Sequence, residues 1–146
     1  MANQIPIEPV NNKFREAIVA LLESEKLPVH DLSPELDNFF IATDNGHVVG
    51  AIGLEIYKDD GLLRSLVVKK DYRKMKTGAR LINELENFGR RSGLKNIYLL
   101  TETAEDYFKK KGYLKINRRN VPDSIKASSE WSLVCPDTAV LMQKTL

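Results

Sequence analysis

Length, composition and charge predict one ordinary globular domain. The chain has 146 residues, of which 42% are hydrophobic and 29% charged, so it is long enough to bury a sizeable core. A formal net charge of +2 is too small to predict a nucleic-acid or membrane partner by itself. We expect a single domain covering residues 1–146.

The apolar segments predict neither secretion nor membrane insertion. The first residues, MANQIPIEPVNN, lack the continuous apolar stretch of a signal peptide, and no run approaches transmembrane length. The single Cys135 has no partner for an internal disulfide, and no His/Cys cluster has the spacing of a metal site. We therefore expect a cytoplasmic protein without a metal, in which Cys135 is a small buried thiol.

The first third of the chain predicts a strand, a helix and a hairpin. Ile5, Ile7 and Val10 indicate the strand, and Asn11 or Asn12 is expected to cap a helix that Pro28 ends. The apolar face of this helix consists of Phe14, Ile18, Leu21 and Leu22. His30 follows in a polar loop and is interpreted as an ordinary exposed histidine.

Two turns predict an antiparallel meander of three strands. Asn45-Gly46 lies between apolar runs at residues 39–43 and 47–57, and both residues tolerate the positive φ of a type I′ turn. A second turn is expected at residues 59–61. It leads into the buried strand at residues 62–68.

A basic turn connects this strand to an amphipathic helix. Lys69 to Lys76 carries five positive charges and one negative charge, and a helix is predicted to start near Thr77 and to stop at Gly93. Its buried face contains Gly78, Leu81, Ile82 and Leu85, and Arg90 and Arg91 lie in its last turn. A helix N-terminus has unpaired backbone N–H groups and suits a pyrophosphate. The alternative is a solvated charged loop.

The remaining pattern predicts an α+β fold. Residues 96–100 form a strand parallel to residues 62–68, joined to it by a right-handed crossover. A short helix at residues 104–111 ends at Gly112, and residues 113–116 and 139–142 supply the last strands. The expected architecture is a mixed, mostly antiparallel sheet with helices on both faces.

The segment LRSLVVKKDYRKMKTGARLI resembles the pyrophosphate-binding motif of the GNAT superfamily of acyl-CoA-dependent N-acetyltransferases. Tyr72, Arg73 and Gly78 match the motif, whereas Lys76 occupies the position of its first glycine. Within the superfamily, LLTETAEDYFKKKGY, VPDSIKASSEWSLVCP and AVLM look most like the arsenic-resistance N-acetyltransferase subgroup, which is related to N-acetylglutamate synthases.

The resemblance implies a GNAT-like fold and acetyl-CoA as co-substrate. Phe108 stands where the superfamily often has a tyrosine that protonates the leaving thiolate. Because a thiol has a pKa of about 8.5, its thiolate can leave without much help, so the absence of this tyrosine does not argue against catalysis. The residues that the resemblance assigns to acetyl-CoA are Leu66, Val67, Val68, Arg73, Lys74, Met75, Lys76, Thr77, Gly78, Ala79 and Phe108.

The catalytic positions differ from the usual superfamily pattern. The superfamily often has a glutamate on the central strand, where this chain has Arg64, and a guanidinium cannot serve as a base. Glu55 on the preceding strand shares a sheet face with Arg64 in either turn register considered. We predict that Glu55 is the base and that Arg64 binds an acceptor carboxylate. A purely structural ion pair is the alternative.

Residues 117–136 are longer than a hairpin needs and are predicted to close over the acceptor. Arg118, Ser129, Glu130 and Trp131 are the candidate contacts, and the alternative is that the segment only caps the sheet edge.

The predicted function is acetyl-CoA-dependent N-acetyl transfer to a small, amino-acid-like amine by direct transfer. A non-catalytic acyl-CoA-binding or regulatory module is the alternative, favoured by Lys76 and Phe108. A nucleic-acid partner is not expected, because Tyr72 is the only aromatic residue within the basic turn. No membrane partner is expected either, and a homodimer stays open.

Overall fold

The computed structural model describes residues 5–10, 12–27, 29, 32, 36–126 and 139–146. Within these residues, seven strands form one sheet in the order β1-β2-β3-β4-β5-β7-β6. The strands are β1 (Ile7–Pro9), β2 (Phe39–Asp44), β3 (His47–Tyr57), β4 (Asp60–Val68), β5 (Asn96–Thr101), β6 (Leu114–Lys115) and β7 (Val140–Thr145). The α-helices are α1 (Arg15–Ser24), α2 (Thr77–Arg91), α3 (Glu105–Lys109) and α4 (Asp123–Lys126). Short 3₁₀ segments occur at Asn12–Phe14, Lys70–Met75 and Arg118–Asn120.

The described residues group into two compact units. The first contains Met1–Leu54 and Ser65–Asn87, and the second contains Glu55–Arg64 and Phe88–Leu146. Among the described helices, none is both long and apolar enough to cross a membrane.

The first unit has helices on both faces of its strands. Ile41 pairs with Ala51 across the β2–β3 ladder, and both belong to the apolar cluster that contains Ile18, Leu21 and Leu22 of α1. The next pair, Ala42 and Gly50, faces the other way because side chains alternate along a strand. A Cβ on Gly50 would lie 3.1 Å from Leu81 Cδ1 on α2. The two helices therefore cover opposite faces, as the sequence predicts.

The second unit contains the parallel strand pair. Asp60, Gly61 and Leu62 pair with Asn96, Ile97 and Tyr98, and both strands continue beyond this ladder. β7 is antiparallel to β5 and to β6. The apolar cluster of this unit consists of Leu62, Tyr98, Val121, Ile125 and Leu141. The mixed sheet with a parallel central pair is the predicted α+β architecture.

The first hairpin turn and the ends of α2 are confirmed. Asn45 and Gly46 have φ values of 51° and 81°, as the type I′ turn requires. α2 begins at Thr77, and Gly93, with φ of 84°, follows its last turn. Gly93 N–H donates to the Arg90 carbonyl at 3.1 Å, which satisfies a carbonyl at the helix end.

Two local predictions are wrong. The second hairpin turn lies at Lys58 and Asp59, not at residues 59–61, because β3 ends at Tyr57 and β4 begins at Asp60. Lys58 has a positive φ of 58°. Asn12 does not cap α1, because it belongs to a 3₁₀ turn at Asn12–Phe14, and Phe14 occupies the N-cap position without a side-chain hydrogen bond. Asn11, the other candidate, lies outside the described residues.

The short elements shift by a few residues. The predicted helix at 104–111 is limited to α3, and the predicted strand at 113–116 is limited to the two residues of β6. β7 runs from Val140 to Thr145 rather than over residues 139–142. Pro28, His30 and Cys135 lie outside the described residues.

Candidate active site

The segment between β4 and α2 follows a tight path that ends in a left-handed residue. Lys69 N–H donates to the Val49 carbonyl at 2.8 Å, and a 3₁₀ turn over Lys70–Met75 follows. Lys76 then adopts φ of 60° and ψ of 22° directly before α2 starts at Thr77. This is the conformation that glycine adopts most readily, so Lys76 keeps a backbone geometry suited to the glycine of the motif.

Two side chains fix the ends of this loop. The Tyr72 hydroxyl donates to Asp44 Oδ2 at 2.6 Å, next to the first hairpin turn. The buried Thr77 hydroxyl donates to the Tyr72 carbonyl at 3.1 Å. The hydrogen bond to Asp44 raises the pKa of Tyr72, and desolvation and the charges of Asp44 and Asp71 act in the same direction. The loop is therefore held in place independently of any ligand.

Arg73 holds the loop through two further contacts. Its Nε donates to the Val68 carbonyl at 2.9 Å, and its Nη2 lies 3.0 Å from Glu25 Oε1. About half of its side chain is still exposed, at 47%. Arg73 thus connects the end of β4 to the end of α1, and it has surface left for a ligand.

The loop has the donors that a pyrophosphate requires. The N-terminus of a helix presents backbone N–H groups that have no partner within the helix, together with a partial positive charge. α2 is 15 residues long and begins on this loop. The exposed cations of the loop are Lys69, Lys70, Arg73, Lys74 and Lys76. This set of backbone donors and cations fits the diphosphate of a CoA-like molecule.

The middle of β4 contains a feature that the sequence did not reveal. Ser65 is buried and has φ of 60°, a value that interrupts the extended conformation of a strand. Such a residue behaves as a bulge, which turns the following backbone groups to a new direction. The groups that follow belong to Leu66, Val67 and Val68, three of the residues that the resemblance assigns to acetyl-CoA. No glycine or proline marks the position, so the sequence gives no signal for it.

Glu55 lies at the centre of a small hydrogen-bonded cluster. Arg64 Nη1 donates to Glu55 Oε2 at 2.9 Å, and the Tyr57 hydroxyl donates to Glu55 Oε1 at 2.7 Å. The Arg64 side chain is 1% exposed and that of Glu55 is 24% exposed. The ion pair between Glu55 and Arg64 is thus confirmed as a contact, and its catalytic role stays a prediction. We missed Tyr57, although its position two residues after Glu55 places both side chains on one face.

The other predicted site residues are partly described. Phe108 is buried in α3, with its ring edge-to-face against Tyr107 and Tyr113 at centroid distances of 5.4 and 5.6 Å. Arg118 Nη2 donates to the Ala139 carbonyl at 2.7 Å. Lys74, Met75 and Ala79 lie on the loop or in the first turn of α2, beside Gly78. Ser129, Glu130 and Trp131 lie outside the described residues.

Comparison with known proteins identifies the class. Residues 35–115 match the acetyltransferase (GNAT) domain family, and this match covers more than half of the chain. The chain therefore belongs to the GNAT acetyltransferase family. The matched region contains the loop, α2, and the cluster around Glu55.

Individual relatives agree with this family. The chain is 27% identical over 115 residues to an amino-acid acetyltransferase of Ralstonia nicotianae, a match that covers 77% of this chain and 25% of the relative. The chain thus spans about a quarter of the length of that relative.

Solved structures of low sequence identity share the fold. N-acetylglutamate synthase from Neisseria gonorrhoeae, in complex with coenzyme A and N-acetyl-glutamate, is similar with a TM-score of 0.84 and 17% identity. The similarity covers 100% of this chain and 36% of that one. A GNAT-family acetyltransferase from Staphylococcus aureus Mu50 is similar with a TM-score of 0.79 and 23% identity, over 98% of this chain and 99% of the other.

The left-handed conformation of Lys76 predicts a distinct order of variant stabilities. Lys76→Gly relieves a backbone strain of about 1–2 kcal/mol in the folded state. The greater freedom of glycine also stabilises the unfolded chain by about 0.4–1 kcal/mol. The variant should therefore be as stable as the wild type or slightly more stable. Lys76→Asn should be close to the wild type, because asparagine tolerates this conformation. Lys76→Val should lose about 1 kcal/mol or more in urea unfolding. A Lys76→Val variant as stable as Lys76→Asn would contradict the left-handed conformation.

The hydrogen bond between Tyr72 and Asp44 predicts a pH dependence of stability. The pKa of Tyr72 is raised in the folded state. The stabilisation that this hydrogen bond gives the folded protein is therefore fully present below the ordinary tyrosine pKa of about 10, and it is lost as the pH rises through the raised value. The difference in unfolding free energy between the wild type and Tyr72→Phe should therefore shrink as the pH rises above the ordinary tyrosine pKa of about 10. In an Asp44→Ala background the same substitution should give a nearly constant difference. A constant difference in the wild-type background would count against the interaction.

Proposed function

We propose that the chain is an acetyl-CoA-dependent N-acetyltransferase that acts on a small, amino-acid-like amine by direct transfer. The observation that carries this proposal is the pre-formed loop from Lys69 to Thr77, which ends in the left-handed Lys76 at the start of α2. Membership of the GNAT family supports it. The names of the relatives, an amino-acid acetyltransferase and an N-acetylglutamate synthase, favour an amino acid as acceptor.

Acetyl-CoA is proposed to bind along this loop. Its diphosphate would accept hydrogen bonds from backbone N–H groups at Thr77, Gly78 and Ala79, with Lys74 and Lys76 as flanking cations. The backbone of residues 66–68, redirected at Ser65, would hold the pantetheine arm. When bound, acetyl-CoA supplies an activated acetyl group as a thioester. The protein supplies orientation and polar groups for the transfer.

Glu55 is proposed as the group that takes up the proton of the acceptor amine, directly or through water. Nearly a quarter of its side chain is exposed, at 24%, which allows contact with a ligand. The Arg64 side chain has little open surface, so we assign Arg64 first to holding Glu55. Its contact with an acceptor carboxylate stays a prediction, which the acceptor KM of an Arg64→Lys variant tests.

Further parts of the proposal rest on the sequence. We place the chain in the arsenic-resistance N-acetyltransferase subgroup, as one domain over residues 1–146, and assign acceptor choice to residues 117–136. The Arg118 guanidinium donates to the Ala139 carbonyl, so these two described residues are in contact. Phe108 stays among the residues that the family resemblance assigns to acetyl-CoA.

The test of function is thiol release from acetyl-CoA against a panel of amino acids and amines, with CoA binding measured in parallel. Transfer to an amino acid supports the proposal. Binding of CoA without transfer to any acceptor would instead support the non-catalytic acyl-CoA-binding module.

Gly78→Glu should abolish CoA binding. The added carboxylate would occupy the first turn of α2, where it repels phosphates but interacts favourably with the helix dipole. We expect the affinity for CoA, measured by calorimetry, to fall by about a hundredfold or more. Asn83→Glu, an equal change in charge on the exposed face of the same helix, is the control and should leave the affinity unchanged. Equal affinities in the two variants would place the CoA site elsewhere.

Glu55→Gln should lower kcat on the best acceptor by about 10²- to 10⁴-fold, the usual contribution of general acid–base catalysis. The amide preserves the shape of the side chain, so the affinity for CoA should not change. Glu23→Gln, on the exposed surface of α1, is the matched control. If kcat of Glu55→Gln equals that of the wild type, the ion pair with Arg64 is only structural.

A further inference from the structure

Tyr57 contacts the proposed base but has no role in the proposed function. Its hydroxyl donates to Glu55 Oε1 at 2.7 Å, while Arg64 Nη1 donates to Glu55 Oε2 at 2.9 Å. Each carboxylate oxygen is therefore held by a different donor. A carboxylate with one donor can still rotate about its last bond, whereas two donors from different strands define its orientation.

The ring of Tyr57 is itself fixed by packing. It is partly buried against the apolar cluster of Leu62, Tyr98, Val121, Ile125 and Leu141. The position of the hydroxyl is thus set by this cluster, and the position of the carboxylate is set by the hydroxyl. Of the two side chains in the ion pair, Glu55 is the more exposed and can meet an acceptor.

We propose that Tyr57 is a positioning residue for Glu55: its hydroxyl holds the carboxylate in the orientation that receives the proton of the acceptor amine. This inference rests on the proposed function, because it requires Glu55 to act on the acceptor. Orientation of a catalytic group changes the rate of the chemical step more than the binding of substrate. The signature of Tyr57 is therefore a fall in kcat at nearly constant acceptor KM.

Tyr57→Phe tests this role cleanly, because it removes the hydroxyl and keeps the packed ring. We expect kcat to fall by about tenfold, the effect of losing one hydrogen bond to a charged group, with less than a twofold change in acceptor KM and in CoA affinity. Tyr98→Phe is the matched control, since it removes a tyrosine hydroxyl from the same cluster, and it should keep the wild-type kcat. CoA affinity also reports whether each variant folds.

A double-mutant cycle separates action through Glu55 from an independent role. In the Glu55→Gln background, Tyr57→Phe should cause no further loss of kcat, because the two changes then affect one step. A full tenfold loss in that background, an increase in acceptor KM alone, or an equal loss in Tyr98→Phe would each overturn the inference.

The inference and the proposed function fail in different ways. If Glu55→Gln is slow but Tyr57→Phe keeps the wild-type kcat, the base stands and Tyr57 has no positioning role. If Glu55→Gln keeps the wild-type kcat, or if no acceptor is acetylated, the proposed role of Glu55 fails and the inference about Tyr57 fails with it.

Discussion

The constraint on which the proposed site depends is the left-handed turn at Lys76. The chain leaves β4 at Val68 and must begin α2 at Thr77, after a 3₁₀ segment that runs from Lys70 to Met75. One residue with positive φ makes this change of direction, and here it is a lysine. The strain is of the order of 1–2 kcal/mol. The contacts of Tyr72, Arg73 and Thr77 with their surroundings offset it.

A loop held in this way has a functional consequence. Ordering a flexible loop on binding costs conformational entropy, which lowers the affinity for the ligand. Because hydrogen bonds to Asp44, Val68 and the Tyr72 carbonyl already fix this loop, that cost is met during folding. The presence of Lys76 instead of glycine is then compatible with the proposed anion binding, since backbone groups of the helix start would make the contacts and the lysine would add a charge.

The elements that the sequence predicted are those governed by local patterns. α2 has a clear apolar periodicity and a glycine stop, and the first hairpin has Asn45-Gly46, so both follow from short-range preferences. Lys58, Ser65 and Lys76 adopt positive φ without a glycine, and no local signal distinguishes such positions. Their conformations are imposed by the strands and helices around them, which is a tertiary effect.

The candidate site also combines features that local sequence patterns predict with features that they do not predict. The basic loop could be found from charge and from its place between a strand and a helix, and the face shared by Glu55 and Arg64 could be found from parity. A register shift of two residues leaves each side chain on the same face of the sheet. The predicted shared face of Glu55 and Arg64 therefore holds, although the turn does not lie at residues 59–61. It does not say which polar side chains on a face form hydrogen bonds. Tyr57 was therefore within reach of the pattern but not selected by it.

In the proposed function, the cluster of Glu55, Tyr57 and Arg64 would meet a structural and a chemical requirement at once. A buried guanidinium needs an anionic partner, because an unpaired buried charge is costly, and Glu55 is a partner of Arg64. A base, however, must accept a proton and thereby give up its negative charge for a time. The two demands are compatible if the proton stays on Glu55 only briefly, and the exposed part of its side chain offers a route to water. Arg64 and Tyr57 would then keep the carboxylate in place between turnovers, ready for the next acceptor.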